Sequence, residues 1–256
     1  MTQPFGNGGG PMQRESLPEH DALLPRHDVM GPVTRALEAL SIALAVGLLV
    51  SHAIRLASDP GWLSWGVLAA FVAGAVLADF GSGVVHWSAD TWGSVSMPVL
   101  GRRFLRPFRV HHVNPRDFLD RDFIDCNGDV AMITCPIFAA AWAVPVSDEA
   151  GRLLAAFLVA FAATSLPTNQ VHQWAHRPDP PRLVSWLQRA RLILPRADHE
   201  RHHVPPHVSH YCIATGWCNR ALGAIGFFAR LERAISRLTG AEPRRDQRGS
   251  ADTAGA

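Results

Sequence analysis

Four nearly uninterrupted apolar runs alternate with polar segments along this chain. The runs cover residues 36–57, 62–80, 129–146 and 152–168. A helix needs roughly 17–25 apolar residues to cross the hydrocarbon core of a bilayer, and each run is about that long. Buried helices of a large soluble core would need a polar shell, and too little chain remains to supply one. We therefore predict an all-α integral membrane protein with four transmembrane helices.

The positions of the arginines predict how these helices are oriented. Segment 81–128 carries Arg102, Arg103, Arg106, Arg109, Arg116 and Arg121, and more arginines follow residue 176. The short connections 58–61 and 147–151 carry acidic residues and no basic one. Because basic loops stay on the cytoplasmic side, both termini are predicted to be cytoplasmic. Segments 81–128 and 169–240 would then form a helical cytoplasmic cap, on the inner membrane if the source is bacterial.

The two ends of the chain differ in composition from the rest. Residues 1–31 are rich in Gly, Pro and polar residues and lack the apolar core of a signal peptide. They are predicted to be a disordered tail, as are residues 241–256. The remaining 32–240 would be one functional domain.

Nine of the 13 histidines fall in four tight groups next to the apolar runs. The groups are His86 with Asp90 four residues later, the pair His111 and His112, the pair His172 and His176, and His199, His202 and His203 with His207 close behind. Helical residues spaced i, i+3 and i+4 share a face, whereas two adjacent residues do not. Neutral imidazole is a good ligand for iron, zinc and copper. Nine imidazoles exceed the needs of one ion, so the pattern predicts two metal ions on one side of the membrane.

One of these groups also matches a protease motif. His199 to His203 satisfies HExxH, in which two histidines bind zinc and the glutamate is the general base. A protease acting within the bilayer should carry this motif in an apolar helix, but here Arg196 and Asp198 precede it. The protease interpretation also leaves five other clustered histidines unexplained. It stays an alternative, as does a membrane protein that binds metal without catalysis.

Imidazole-rich groups of this kind resemble the membrane desaturases and hydroxylases. The HxxxH box corresponds to His172–His176 and the HxxHH box to His199–His203. Segments 86–94, 111–129, 167–176, 194–207 and 211–219 together resemble the plasmanylethanolamine desaturase family, the Kua/CarF-type lipid desaturases. The match runs from about residue 62 to 243 in consistent order.

The resemblance implies a di-iron centre, with O₂ as co-substrate. It implies that the nine clustered histidines are the ligands: His86, His111, His112, His172, His176, His199, His202, His203 and His207. Asp90 and Asn169 are expected to hold the second ring nitrogen of metal-bound histidines.

In that family an ether phospholipid is converted to a vinyl-ether plasmalogen. Electrons would come from a cytochrome b5-like protein or from a ferredoxin with its reductase, and no nucleic acid is involved. Plant relatives desaturate an acyl chain of phosphatidylglycerol instead, and the histidine groups do not separate the two substrates.

Overall fold

The computed structural model describes residues 25–58 and 60–244, and these residues form helices without any strand. In chain order the helices are α1 (Pro32–Ser58), α2 (Trp65–Thr91), α3 (Arg106–Val113), α4 (Pro115–Asp120), α5 (Phe123–Ala143), α6 (Glu149–Ser165), α7 (Thr168–His176), α8 (Arg182–Arg189), α9 (Arg196–His202), α10 (Asn219–Ala224) and α11 (Phe227–Thr239). A 3₁₀ turn covers Pro60–Trp62, and a π-helical turn at Gly101–Leu105 leads into α3.

Four helical segments are long and apolar enough to span a membrane: α1, α2, α5, and α6 together with α7. Helix α6 packs along both α2 and α5, and α1 packs along α5. Large apolar side chains point outward from this bundle, as at Ile133, which is 67% exposed. Outward-facing apolar side chains suit a surface in contact with lipid. The predicted all-α membrane fold with four spans is confirmed.

A glycine sets the closest approach of α2 to α6. A Cβ atom placed on Gly74 would lie 2.3 Å from the carbonyl oxygen of Phe157 and 3.0 Å from Cβ of Ala160. Only a residue without a side chain permits this backbone separation, which is how small residues promote helix packing in membranes. The contact keeps α2 and α6 side by side, and both lead toward histidine groups.

Two spans extend beyond the apolar runs as helix. Helix α2 continues from the run ending at residue 80 through Thr91, and this extension carries His86 and Asp90. After α6, the turn at Leu166 and Pro167 interrupts the helix before α7 carries His172 and His176. The connections at the opposite end of the bundle are short, whereas segments 92–122 and 177–244 contain all the remaining helices. The histidine groups therefore converge at one end of the bundle.

Residues 25–31, which the sequence placed in the N-terminal tail, contact this same end. His27 Nδ1 lies 2.9 Å from Asp117 Oδ2, and Asp28 pairs with Arg102 and Arg106 at 2.8 and 2.7 Å. Most of the two predicted tails, residues 1–24 and 245–256, lie outside the described residues.

Candidate metal centre

Five histidines converge in what we call the five-histidine group: His111, His172, His176, His199 and His203. Their candidate ligand atoms all lie within 4.8 Å of one another. The Nε2 atoms of His172 and His199 are 2.9 Å apart. Those of His111 and His176 are 3.0 Å apart, as are those of His111 and His203. Three separate chain segments therefore direct imidazole nitrogens at one point.

Local sequence explains how each segment presents its histidines. His172 and His176 are one turn apart on α7, so they share a face. Helix α9 begins after Pro195 and is only seven residues long. His199 and His203 are again one turn apart, with His203 as the C-cap.

A second group lies next to the first, and we call it the Asp90 group: His86, Asp90, His112 and His202. Oδ2 of Asp90 lies 3.1 Å from Nε2 of His112, 3.4 Å from that of His86 and 3.6 Å from that of His202. The adjacent His111 and His112 thus belong to different groups, as expected for neighbours on one helix. His112, His203 and His207 form a third set that connects the two groups.

The spacing of the nitrogens matches ligands of a first-row metal ion. Two imidazole nitrogens each about 2.1 Å from one ion, at a right angle, are about 3.0 Å apart. Four of the Nε2 separations in the five-histidine group, at 2.9–3.1 Å, agree with this value, and the separation between His176 and His199 is shorter, at 2.5 Å. Burial, and after it the neighbouring histidines, hold the pKa of His111, His199 and His202 well below the usual value. Burial lowers the pKa of His203 to about 2. Unprotonated imidazoles are the form that binds metal, so the residues present fit a metal centre.

Backbone carbonyls determine which ring nitrogen can bind metal in the Asp90 group. Nδ1 of His86 lies 3.2 Å from the carbonyl oxygen of Tyr211, and Nδ1 of His202 lies 2.8 Å from that of Ser209. A carbonyl oxygen only accepts, so each Nδ1 must carry the proton. Nε2 is then left with a free lone pair directed at Asp90. These carbonyls fill the role that the sequence had suggested for Asp90 and Asn169.

Asp90 and Asn169 occupy other positions. Oδ2 of Asp90 lies among the candidate ligand atoms rather than behind them, and its Oδ1 is buried without a hydrogen bond in the described part of the chain. Nδ2 of Asn169 donates to the carbonyl oxygen of Cys126 at 2.9 Å. Asn169 also lines a cavity next to the five-histidine group.

Sequence reasoning missed Asp79, which holds the loop that supplies these carbonyls. Its Oδ1 accepts from the backbone N–H groups of Thr215 and Gly216 at 2.7 and 2.8 Å, and its Oδ2 accepts from that of Cys218 at 2.9 Å. The side chain is fully buried on α2, about two turns before His86. A carboxylate within an apolar run was the available signal, because ionisable residues inside spans are rare and tend to be functional.

The geometry argues against the protease interpretation of HExxH. Glu200, which would be the general base, is 57% exposed and binds Nε of Arg196 at 2.6 Å. The two motif histidines, His199 and His203, share their group with three further histidines, and no carboxylate of the described residues belongs to that group. The motif belongs to the larger histidine assembly.

A cavity of about 150 Å³ adjoins the five-histidine group. His111 and His172 form one wall of it. Most of the remaining lining is apolar and comes from α2, α5 and the 104–118 segment: Val85, Phe104, Pro107, Phe108, Phe118, Val130 and Ile133. Because Ile133 and Val85 are both exposed on the outer surface of the spans, the cavity borders the lipid-facing side of the bundle. It can hold a segment of an apolar chain beside the candidate metal centre.

Residues 75–246 match the family model described as the lipid desaturase domain. The chain belongs to the lipid desaturase family. It is 42% identical to plasmanylethanolamine desaturase of Myxococcus xanthus over 219 residues, which cover 86% of this chain and 78% of that protein. It is 40% identical to plasmanylethanolamine desaturase 1 of Mus musculus, over 84% of this chain and 82% of that one. The chloroplastic fatty acid desaturase 4-like 1 of Arabidopsis thaliana is 34% identical, over 67% of this chain and 57% of that protein.

No solved structure matches this lipid desaturase significantly. The family resemblance predicted from the histidine segments is confirmed by the sequence relatives. This chain is therefore an oxidoreductase of the desaturase class that acts on lipid in a membrane, and its histidine-rich groups can hold metal.

Proposed function

We propose that this lipid desaturase is a plasmanylethanolamine desaturase, which forms the vinyl ether bond of plasmalogens from a 1-O-alkyl phospholipid. The observation that carries the proposal is the pairing of two adjacent metal-binding groups with an apolar cavity at one end of the spans. The two plasmanylethanolamine desaturases, at 42% and 40% identity over most of the chain, support this substrate over an acyl lipid. The plant fatty acid desaturase is less similar and aligns over a smaller share of the chain.

We assign one iron to each group. His111, His172, His176, His199 and His203 would hold the first iron, and His86, Asp90, His112 and His202 the second. His207 forms the third set with His112 and His203, and we propose it as a further ligand. Asp90 is thus proposed as a direct ligand, because its Oδ2 lies 3.1 Å from His112 Nε2 within the same set of converging atoms.

The reaction removes one hydrogen from each of the two chain carbons next to the ether oxygen. One O₂, two electrons and two protons are consumed with them, and two waters form alongside the new double bond. The irons would supply oxygen activation. We propose that the two carbons lie beside His111 and His172, which border the cavity, and that the phenylalanines of its wall keep water away from them.

The placement of the centre suits this chemistry. The bond to be oxidised lies close to glycerol, and the centre lies at one end of the spans, which we propose to be at the depth of the lipid headgroups. We infer that this end is cytoplasmic, because the arginines of segment 81–128 accompany it. On this assignment both termini are also cytoplasmic. Residues 32–240, together with the packed residues 25–31, form the desaturase domain. The electron donor is a cytochrome b5-like protein or a ferredoxin with its reductase.

The decisive experiment supplies the purified protein in vesicles with an electron donor and a 1-O-alkyl ethanolamine phospholipid. Acid-labile vinyl ethers are then measured by release of aldehyde. A His176→Ala variant is the negative control, because His176 is proposed as a ligand. Vinyl ether formation by the wild type alone is expected. An acyl double bond in phosphatidylglycerol without any vinyl ether would instead assign the acyl-lipid reaction.

Metal analysis tests the centre separately. Two irons per chain are expected. A single tightly held zinc would contradict the di-iron assignment and favour the protease.

A further inference from the structure

A narrow polar pocket, to which His27 contributes, adjoins the apolar cavity. It is lined by charged residues of both signs, with four arginines and four carboxylates: Asp28, Glu38, Arg102, Arg103, Arg106, Arg121, Asp125 and Asp129. Arg103, Pro107, Arg121, Asp125 and Asp129 line both spaces. The polar pocket and the apolar cavity are therefore neighbouring parts of one site.

Three of the four carboxylates have a close arginine partner. Asp28 pairs with Arg102 and Arg106 at 2.8 and 2.7 Å. Asp125 accepts from Nε of Arg121 at 2.7 Å, and Asp129 accepts from Arg103. These arginines therefore already form ion pairs with the aspartates.

Glu38 is the exception. Its side chain is only 2% exposed, and its Oε1 has a distant contact, 3.5 Å, with Nη2 of Arg103. Its Oε2 is buried and has no hydrogen-bond partner among the described residues. A buried carboxylate without a full partner is costly, and a cation in the pocket would satisfy it.

The size of the pocket indicates which cation fits. The free space is about 10 Å³, which is the room needed for about one water molecule. A primary ammonium group is about the size of a water and has three N–H donors. A trimethylammonium group is much larger and has no N–H donor for the glutamate.

We propose that Glu38 recognises the substrate headgroup by binding its primary ammonium group, so that this pocket selects ethanolamine over choline phospholipids. The inference rests on the proposed function and adds the residue that recognises the lipid headgroup. Arg103 lines both spaces, so the lipid phosphate would pass beside it. The linked chain then enters the cavity that His111 and His172 border. Amine, phosphate and reacting carbons follow in the order in which a phospholipid carries them.

Lipid binding to the iron-loaded protein in detergent tests the site directly. Native mass spectrometry would compare 1-O-alkyl lipids with ethanolamine and choline headgroups at equal concentration. The wild type is expected to retain the ethanolamine lipid at least 10-fold better. Glu38→Gln should lose about 10- to 100-fold of that binding, since a hydrogen bond to a charged group is removed. Glu149→Gln, a matched change at the start of α6 and at the opposite end of the bundle, should keep the wild-type preference.

A second variant covers the case in which Glu38→Gln does not fold. Asp129→Asn would free Arg103 to neutralise Glu38, so it should weaken ethanolamine binding in the same direction. Equal binding of both lipids by the wild type, or an unchanged preference in a folded Glu38→Gln or Asp129→Asn protein, overturns the proposal.

Turnover separates the failure of this inference from that of the proposed function. If the protein prefers the ethanolamine lipid through Glu38 but forms no vinyl ether, the headgroup inference stands and the proposed reaction is refuted. If the protein forms vinyl ethers equally from lipids with either headgroup, and Glu38→Gln changes nothing, the proposed reaction stands and the headgroup inference is refuted.

Discussion

Replacing Asp79 should weaken the protein and the Asp90 group together. Asp79 accepts three backbone N–H groups from the 215–218 loop, at 2.7, 2.8 and 2.9 Å. The same loop segment begins with Ser209 and Tyr211, whose carbonyls orient His202 and His86. The carboxylate therefore acts on the centre through the loop, as a positioning residue.

The size of the effect follows from the hydrogen bonds lost. An unsatisfied buried N–H costs about 1–3 kcal/mol, so Asp79→Ala should cost about 3–9 kcal/mol if the loop stays in place. That is comparable with the whole stability of a typical domain, about 5–15 kcal/mol, so the loop is expected to detach. Asp79→Asn keeps one acceptor oxygen for Thr215 and Gly216 but turns an NH₂ group toward the N–H of Cys218. It should cost about 1–3 kcal/mol.

Thermal unfolding and iron content would be measured for both variants. Each kcal/mol should lower the melting temperature by roughly 2–4 °C, and the alanine variant should lose iron from the Asp90 group first. Loss of a group that orients metal-bound histidines typically weakens metal binding by about 10- to 100-fold.

Asp148→Ala is the matched control, because Asp148 also accepts a backbone N–H, from Gly151, at the other end of the bundle. It should cost about 0.5–2 kcal/mol as a lost helix cap, with full iron content. If Asp79→Ala melts like the wild type and keeps both irons, the positioning role of the loop is refuted.

Three further predictions concern the centre and the packing of the spans. The iron-free protein should lose stability as the pH falls below about 6.5, by up to about 1.4 kcal/mol per pH unit for each buried histidine such as His111. The pKa of His111 is lowered in the folded protein, so at acidic pH the unfolded chain binds more protons than the folded one. An unchanged melting temperature between pH 7.5 and 5.5 would contradict this. His176→Ala should lower the iron content and abolish activity. The control His210→Asn, at a residue outside the histidine groups with φ 57°, should retain both. Full activity of His176→Ala would show that His176 is not a ligand. Gly74→Val should prevent stable packing of α2 on α6. The control Gly47→Ala, whose new Cβ meets nothing within 4 Å, should leave the melting temperature near that of the wild type. If the two variants unfold at similar temperatures in detergent, the close approach of α2 and α6 is not needed.

Much of the architecture could be predicted from the chain, because spans and metal ligands both leave local patterns. Apolar runs of membrane-crossing length placed four spans, and the observed helix α2 shows that the run ending at residue 80 continues to Thr91. The i, i+4 spacing of His172 and His176 is by itself enough to place them on one helix face. Pro195 precedes α9 and Pro205 follows it closely, so the chain itself allows only a short helix there.

The division of the histidines between two groups required the tertiary structure. His86 and His202 are 116 residues apart in sequence, yet their ring centroids lie 4.3 Å apart. Asp79, Glu38 and the carbonyls of Ser209 and Tyr211 could not be placed because their partners come from distant segments. The sequence alone determined which residue types can bind metal and on which helix faces they lie, since helical periodicity is local. Only the packing of α2, α6 and the following loops decided which atoms meet, because a hydrogen bond or a coordination sphere depends on positions in space.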